Sequence, residues 1–533
     1  MRCSALVEAL RHPEFYPEPT RHVEIRETHA SLVFLTEHYA YKLKKAVNFG
    51  FLDYSTLARR QFCCHEELRL NRRLAPSVYV DVLALHQTPQ GYSWHGPGPI
   101  VDYVLKMRRL PEQANLEALL RQHAVPPQTM ARLAQRLATF HALPAALPAA
   151  QTYGTLRQVE ADWQDNFVQT LPWTGKTLTL LDYEQIQQAV QLFLQRHADW
   201  FARRLADGHI RDCHGDLRAE HVYVLDGDIQ MIDCIEFSPA LRFIDVASDI
   251  AFLAMDLERL GFPGVAAQFV QAYVAATDDV TLYRLLDFYR CYRAYVRGKV
   301  TSLRLQEALA AQDRPNVQHA AAQAFCLALR YARRCVRPVC LLTTGLIGSG
   351  KSTLATGVAT ALDAVLLSSD RLRKTQAGLV PETRQHVAYG VGLYSAETTR
   401  QTYETLAALA RQHLSQGQSV VLDASFARRA ERQRLAELAR DLGAACAVLE
   451  CVVPEAVLRQ RLEQRSRQSG AVSDGRVEIL SQFRAAYEPL QADEALKHLR
   501  LDMTQDLRTC VQDVLARVTA DDDDNLSPQS DRV

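Results

Sequence analysis

The sequence lacks net charge: 61 basic residues balance 61 acidic ones. That balance argues against a chain that coats nucleic acid. No run of about 18 apolar residues occurs, so no transmembrane helix is expected. The first ten residues form a short amphipathic stretch soon ended by Pro13, without the apolar centre of a signal peptide. The twelve cysteines show no C-x-x-C pair and no zinc-finger spacing. They read as free thiols in a reducing compartment, and a cytoplasmic location is expected. Lysine is scarce too: 9 of the 61 basic residues, the other 52 being arginine. With 48% apolar and 23% charged residues, the chain has an ordinary globular composition. Its 533 residues exceed what one core usually supports, so at least two domains are expected.

Against that scarcity, Gly345-Leu-Ile-Gly348-Ser349-Gly350-Lys351-Ser352 matches the phosphate-loop pattern G-x-x-x-x-G-K-[ST]. At this chain's glycine and lysine frequencies, chance would supply about 0.002 such matches. The context agrees. Pro338–Thr344 is a short apolar run, as in a buried parallel strand, and Ser352–Leu362 continues with helical apolar spacing. Glycines there let backbone N–H groups curl around phosphate oxygens, and the helix N-terminus adds its positive end. Lys351 is expected to reach the β- and γ-phosphates of ATP. Ser352 is expected to hold Mg2+, and Thr353 lies in the same turn.

Alternating strand and helix patterns continue to the C-terminus and imply a parallel sheet. Ala364–Ser369 leads to Asp370. Ser419–Leu422 leads to Asp423. Ala445–Val453 and a weaker Leu499–Leu501 complete the strands, and Ser395 is an expected N-cap for a helix reaching Ser415. In a parallel sheet the site lies beyond the strands' carboxyl ends. That puts Gly345–Ser352, Asp370 and Asp423 on one rim. Asp423 resembles a Walker B carboxylate for Mg2+. Arg461 and Arg465 stand four apart on one helix face before a polar segment, Ser469–Gly475, as lid arginines would. A solvated basic face is the plainer alternative.

The N-terminal half reads differently. Strands are expected at Val23–Thr28, at Ser31–Thr36 with Tyr39–Lys44 as a hairpin, and at Val78–Leu85 and Ile100–Met107. A helix is expected over Ser55–Leu74. Helices dominate Leu116–Leu205 and Leu282–Arg334, the latter with a polar break at Gln312–Pro315. Between them lies Cys213-His-Gly-Asp216-Leu-Arg-Ala-Glu220-His221, then two apolar strands around Asp226-Gly227, then Asp233. A hairpin returns the chain, so Asp216 and Asp233 should approach each other. Spacing alone fits an ordinary polar-ended hairpin equally well.

His214-Gly-Asp216, with Ile232-Asp233 and Asp245–Asp249, resembles the aminoglycoside phosphotransferases and related small-molecule kinases. The resemblance implies Asp216 as catalytic base, Asp233 as metal ligand, and Lys42 as the strand lysine that contacts phosphates. Glu67 would be its helix partner, with Glu66 the second choice. The P-loop half is similar to gluconate kinase and the zeta-toxin group, in which an acidic residue at the place of Asp370 meets the acceptor hydroxyl. The whole chain looks like bacterial proteins that join two such domains.

The implied architecture is an α+β two-lobed protein-kinase-like domain over residues 1–336, then an α/β P-loop domain over 337–519, then a disordered acidic tail over 520–533. One departure stands out. The fifth residue after the base is ordinarily Asn, a second metal ligand; here it is His221, preceded by Glu220. Imidazole suits Mg2+ poorly. Glu220 substitutes, or one metal suffices, or the domain turns over slowly or only binds.

The expected activity is transfer of the ATP γ-phosphoryl to a small-molecule hydroxyl, with Mg2+, at two sites. Two rivals remain: a P-loop kinase regulated by its N-terminal domain, and an ATPase switch that moves a partner. A toxin-like kinase acting on a nucleotide sugar is a further variant. Neither the acceptor nor the oligomeric state is legible.

Overall fold

The computed structural model describes residues 2–48, 50, 52–143, 152–225, 227–306, 310, 312–380, 383, 390–466, 475–494 and 496–518. The expected acidic tail, most of Ser469–Gly475 and the hairpin residue Asp226 lie outside them. The chain divides into two compact units. One comprises Met1–Tyr183, Leu194–Ala276 and Tyr289–Ala328; the other comprises Glu184–Phe193, Thr277–Phe288 and Leu329–Val533.

The first unit opens with strands β1 (Glu24–Glu27), β2 (Ser31–Leu35), β3 (Tyr39–Lys44), β4 (Tyr79–Thr88), β5 (Gly91–Ser93) and β6 (Ile100–Arg108). They form one antiparallel sheet in the order β1-β2-β3-β6-β4-β5. The expected hairpin is β2–β3, with Val33 opposite Lys42. Side chains alternate along a strand, so Tyr41 and Leu43 leave β3 on one face while Lys42 and Lys44 leave on the other. The first face packs Phe34, Tyr41, Leu43 and Val104 against Leu6, Leu10 and Trp94. The second receives the helix Leu57–Asn71, whose Leu68 packs with Val78, Tyr79 and Leu105. Thr56 caps that helix by accepting the Arg59 N–H. The sheet and helix therefore enclose Lys42 and Lys44.

Helices follow at Leu116–Arg121, Thr129–His141, Leu156–Thr170, Leu180–Arg196 and Ala198–Ala206. Short strands β7 (Ile210–Asp212), β8 (Val222–Leu225), β9 (Asp228–Met231) and β10 (Phe243–Asp245) come next. β8 and β9 are the expected hairpin; β7 pairs antiparallel with β10. The nearly all-buried helix Val246–Arg259 and the helices Pro263–Thr277, Leu282–Leu303 and Arg314–Val336 complete this stretch. The break in the last pair falls before Arg314, earlier than the sequence suggested, and Pro315 sits inside the first turn. Proline is tolerated there because that N–H has no helical partner anyway.

The second unit carries β11 (Val339–Thr344), β12 (Val365–Ser368), β13 (Val420–Asp423), β14 (Ala445–Val452) and β15 (Lys497–Asp502). All four pairings are parallel, in the order β12-β13-β11-β14-β15. Central strands buried on both faces explain the apolar runs: Leu341, Leu342, Val420, Val421 and Val448 are fully buried. Ser395 caps the helix Ala396–Ser415, accepting the Thr398 N–H. The eleven cysteines after Cys3 are free thiols. No described helix is long and apolar enough to cross a membrane.

Candidate active sites

The N-terminal site grows from the enclosed lysines. Lys42 Nζ donates to Glu67 Oε1 at 2.8 Å and to Asp233 Oδ1 at 2.7 Å. Glu67 is fully buried and uses its other oxygen to accept from Lys44 Nζ at 2.6 Å. Lys44 and Tyr54 both donate to Glu236. Burial works against the Lys42 ammonium, yet Asp233 and Glu67 outweigh it and hold its pKa well above the usual lysine range. Burial likewise opposes a charged Glu67, and Lys42 and Lys44 overcome it, leaving the pKa lowered. Lys42 and Glu67 are both charged, as members of a buried polar network are when each has a counter-charge. Lys42, Glu67 and Asp233 come together in one cluster. Glu66 instead pairs with Arg69 at 2.7 Å near the surface.

Asp216 lies on the other side of the hairpin. Both its oxygens accept from Arg218, each at 2.9 Å. Burial raises its pKa, but Arg218 prevails and the net shift is downward. Asp233, with positive φ of 64°, follows the same logic: burial is outweighed by Lys42, and its pKa falls far below the carboxylate range. His221 lies between the two carboxylates, with ring nitrogens 3.7 Å from Asp216 Oδ2 and 3.8 Å from Asp233 Oδ2. Its Nδ1 is 2.9 Å from the Asp216 carbonyl oxygen and its Nε2 3.0 Å from Arg218 Nη2. A guanidinium only donates, so Nε2 accepts and Nδ1–H donates; this assigns a neutral ring. Ligand atoms of Asp216, His221 and Asp233 all fall within 4.8 Å of one another.

The loop that carries Asp216 is held from below. Asp249 accepts the N–H of His214 at 3.0 Å and of Gly215 at 2.9 Å, and it meets His141 at 3.2 Å. Burial would raise its pKa; the hydrogen bond from His141 leads the effects that bring it down to about 2. His214 is fully buried, and burial pulls its pKa down to about 4. Its Nε2–H donates to the Ile232 carbonyl at 2.9 Å, which ties the Asp216 loop to the strand end before Asp233. Gly215 has φ of 83°, and a Cβ there would lie 2.8 Å from the Leu241 carbonyl oxygen. Gly215 and Ile232 border a cavity of about 870 Å³ whose lining includes Lys42, Asp216 and Asp233.

The P-loop site is built differently. Gly345, Gly348 and Gly350 all take positive φ. A Cβ at Gly345 would fall 2.6 Å from the Cys451 carbonyl oxygen, so only glycine fits. The helix Lys351–Leu362 begins at the motif lysine, whose Nζ donates to the carbonyls of Gly345 (3.0 Å) and Leu346 (2.8 Å). Ser352 Oγ donates to Asp423 Oδ1 at 3.1 Å, and Ser368 Oγ donates to Asp423 Oδ2 at 3.2 Å. The parallel register, with Ser368 opposite Asp423, brings these ends together. Thr353 is exposed on the helix's first turn. Ser349 is buried and its hydroxyl has no hydrogen-bond partner. Asp370 stands in the first turn of the helix Ser369–Gln376 and pairs with Arg373 at 3.2 Å. Arg461 donates to the Met503 carbonyl at 2.7 Å, and Gly350 lies beside its guanidinium. Arg465 falls in the helix Glu455–Ser466, but its side chain is outside the described residues.

Sequence reasoning passed over Lys44, Glu236 and the Arg218 clamp. Lys44 had a signal, because period two puts it on the Lys42 face. Glu236 had none, being a carboxylate three residues beyond Asp233 with no pattern of its own.

A model of the phosphotransferase enzyme family matches residues 59–289, and an AAA domain model matches residues 340–490. An uncharacterized protein of Mycobacterium tuberculosis is 30% identical over 480 residues, 90% of this chain and 92% of that protein. Two solved structures show a weaker likeness. A choline/ethanolamine kinase family protein from Mesorhizobium loti covers 62% of this chain and 99% of its own at 14% identity and TM-score 0.37. A gluconokinase from Sinorhizobium meliloti 1021 covers 34% of this chain and 91% of its own at 21% identity and TM-score 0.24. Fold, motifs and family models together define a phosphotransferase that joins an aminoglycoside-phosphotransferase-like domain to a P-loop kinase domain. The chain belongs to the same family as the mycobacterial protein.

Proposed function

We propose that each domain transfers the γ-phosphoryl of ATP to a hydroxyl of a small molecule. The observation that carries this reading is Lys42 bridging Glu67 and Asp233 in a cavity that Asp216 also lines. It supplies a cation for phosphates, an anchor for that cation, and carboxylates for metal and acceptor. Asp216 orients the acceptor hydroxyl and takes its proton. Its Arg218 clamp makes it a weak base, which suffices where the transition state is loose and positioning dominates.

The residues fit the nucleotide and its ion. In the P-loop, the orphaned Ser349 hydroxyl and the glycine backbone offer donors to phosphate oxygens. Ser352 and Asp423 offer the oxygen donors that Mg2+ prefers, and Asp233 with Asp216 does so in the N-terminal site. His221, whose Nε2 faces Arg218, adds nothing a hard cation needs. Mg2+ neutralises charge on the transferring phosphates when bound. Lys351 would leave its two carbonyl partners to bind phosphate. Asp370 would anchor the second acceptor, and Arg461 and Arg465 would close over the phosphates.

The test is label transfer from γ-labelled ATP into a cell-derived small-molecule extract, with the intact protein, Asp216→Ala and Lys351→Ala side by side. Each variant should lose a different labelled product. Loss confined to Lys351→Ala would leave the N-terminal domain as a regulator, the second reading, which His221 at the usual Asn position favours. ATP consumption with no labelled acceptor would overturn both.

A further inference from the structure

Two helix stripes wall the cavity beyond Asp216. Asp162, Asp165, Asn166 and Gln169 recur at helical spacing on Leu156–Thr170; Arg293, Val296, Arg297 and Val300 do so on Leu282–Leu303. Most charges here are spoken for. Arg293 donates to the carbonyls of Gly215 and Ser248. Lys299 donates to Asn166 Oδ1 at 2.6 Å and Gln169 Oε1 at 3.0 Å. Arg297 differs from those cations. Its side chain is 27% exposed, and among the described residues it donates no hydrogen bond and makes one ion pair, a 3.9 Å approach to Glu220.

Glu220 is already held by Arg218. The other carboxylate close enough to favour the Arg297 cation, Asp256, accepts from the Ala219 N–H at 3.0 Å and from Arg259 at 2.8 Å. A guanidinium largely removed from water, without a counter-charge of its own, is costly unless something supplies one. Burial, then the neighbouring Arg218, pull its pKa below the usual arginine value. The nitrogens of Arg297 are not sealed in protein: the residue lines the cavity and is absent from the buried atoms lacking partners. The chain Arg297–Glu220–Arg218–Asp216 sets it one carboxylate and one guanidinium from the base.

We propose that Arg297 is the anion subsite of the N-terminal acceptor pocket, so the molecule phosphorylated there carries a carboxylate or phosphate besides its reacting hydroxyl. The inference rests on the phosphotransferase reading of this domain. It adds the class of acceptor. Arg's planar fork binds either anion in two-point fashion, which also orients the hydroxyl toward Asp216. Asp162 and Asp165 on the facing helix leave room for a cationic group elsewhere on the same molecule, but they offer Arg297 no hydrogen bond.

The test uses the full chain with Lys351→Ala, which silences P-loop transfer. Product labelled by this protein and absent with Asp216→Ala is separated by anion exchange. It should carry at least one negative charge beyond the new phosphate. With the isolated acceptor, Arg297→Gln should raise KM at least tenfold with kcat changed less than threefold, and Arg297→Lys should recover part of the loss. A product whose only anion is the new phosphate, or an unchanged KM in Arg297→Gln, overturns the proposal.

A second measurement does not depend on turnover. Inorganic phosphate should raise the Tm of the Lys351→Ala protein, and adding Arg297→Gln should remove most of that rise. If the rise survives Arg297→Gln, the anion subsite is refuted. If it vanishes while no Asp216-dependent product forms, the subsite stands and the transfer reading falls.

Discussion

On the proposed reading, the two sites hold a charged nucleotide by opposite means. In the P-loop domain eight consecutive residues, Gly345–Ser352, contain the cradle, and backbone N–H groups are the main donors. In the N-terminal domain Lys42 meets a carboxylate 191 residues away, and every participant is a side chain. A backbone cradle tolerates little change in conformation but keeps few buried charges. A side-chain network tolerates backbone drift but depends on every counter-charge being present. The two sites should therefore fail in different ways.

The largest effects should be on activity. Asp216→Asn keeps the shape of the N-terminal base and should lower Asp216-dependent label transfer by about 10²–10⁴-fold while leaving P-loop transfer intact. Gly345→Ala should abolish nucleotide binding to the P-loop, because its Cβ would collide with the Cys451 carbonyl. Calorimetric titration with an ATP analogue would read it, with circular dichroism to show the sheet persists. Equal loss from both substitutions at both sites would erase the contrast.

Stability separates the sites next. Glu67→Gln leaves Lys42 and Lys44 facing each other with one carboxylate fewer. It should cost about 3–5 kcal/mol in urea unfolding. Asp370→Asn, at a pair whose Arg373 side chain is 7% exposed and whose carboxylate is 25% exposed, should cost less, about 1–3 kcal/mol. Comparable costs would mean the buried network is no more demanding than a rim pair.

Acid should act on the N-terminal network through His214 and Asp249. Both folded pKa values lie below the ordinary ones, so the stability they contribute is complete above the ordinary values and is lost as pH falls. For His214 the loss runs from about 6.5 to about 4, and for Asp249 from 3.8 to about 2. The first step corresponds to about 3 kcal/mol and the second to about 2. Urea midpoints across pH 7 to 4 should fall, and His214→Gln should flatten that fall. A slope that persists in His214→Gln would assign it to other groups.

The smallest expected effect belongs to His221→Asn. The ring accepts from Arg218 and donates to the Asp216 carbonyl, so it braces the loop. Asparagine can do both and add an oxygen for the metal. Asp216-dependent transfer should rise, by less than about tenfold, with a lower Mg2+ requirement. No gain would count against the reading that His221 limits this domain.

What was legible follows the same divide. The P-loop, its strand and helix, the carboxylate ending β13 and the one in the first turn after β12 could be read because contact partners there are neighbours in sequence or ends of patterned strands. The helix cap Ser395 was legible for the same reason, and so was the β2–β3 hairpin. Asp216, Asp233, Lys42 and Glu67 were named through resemblance; spacing alone left the hairpin reading even. Arg218, two residues from Asp216, escaped notice because nothing in a sequence says which way an arginine turns.

By itself the sequence determined the periods. Alternation in β3 put two lysines on one face, apolar runs made β11 and β13 central, and glycines at 345, 348 and 350 opened a loop no other residue could form. Only the tertiary structure decided the charges. Which lysine shares Glu67, which guanidinium clamps Asp216, and that Arg297 at the cavity wall donates to no described residue depend on helices and strands far apart in the chain. The reason is physical: periodicity is set by local backbone geometry, whereas a buried charge is defined by every counter-charge that folding brings within a few ångströms of it.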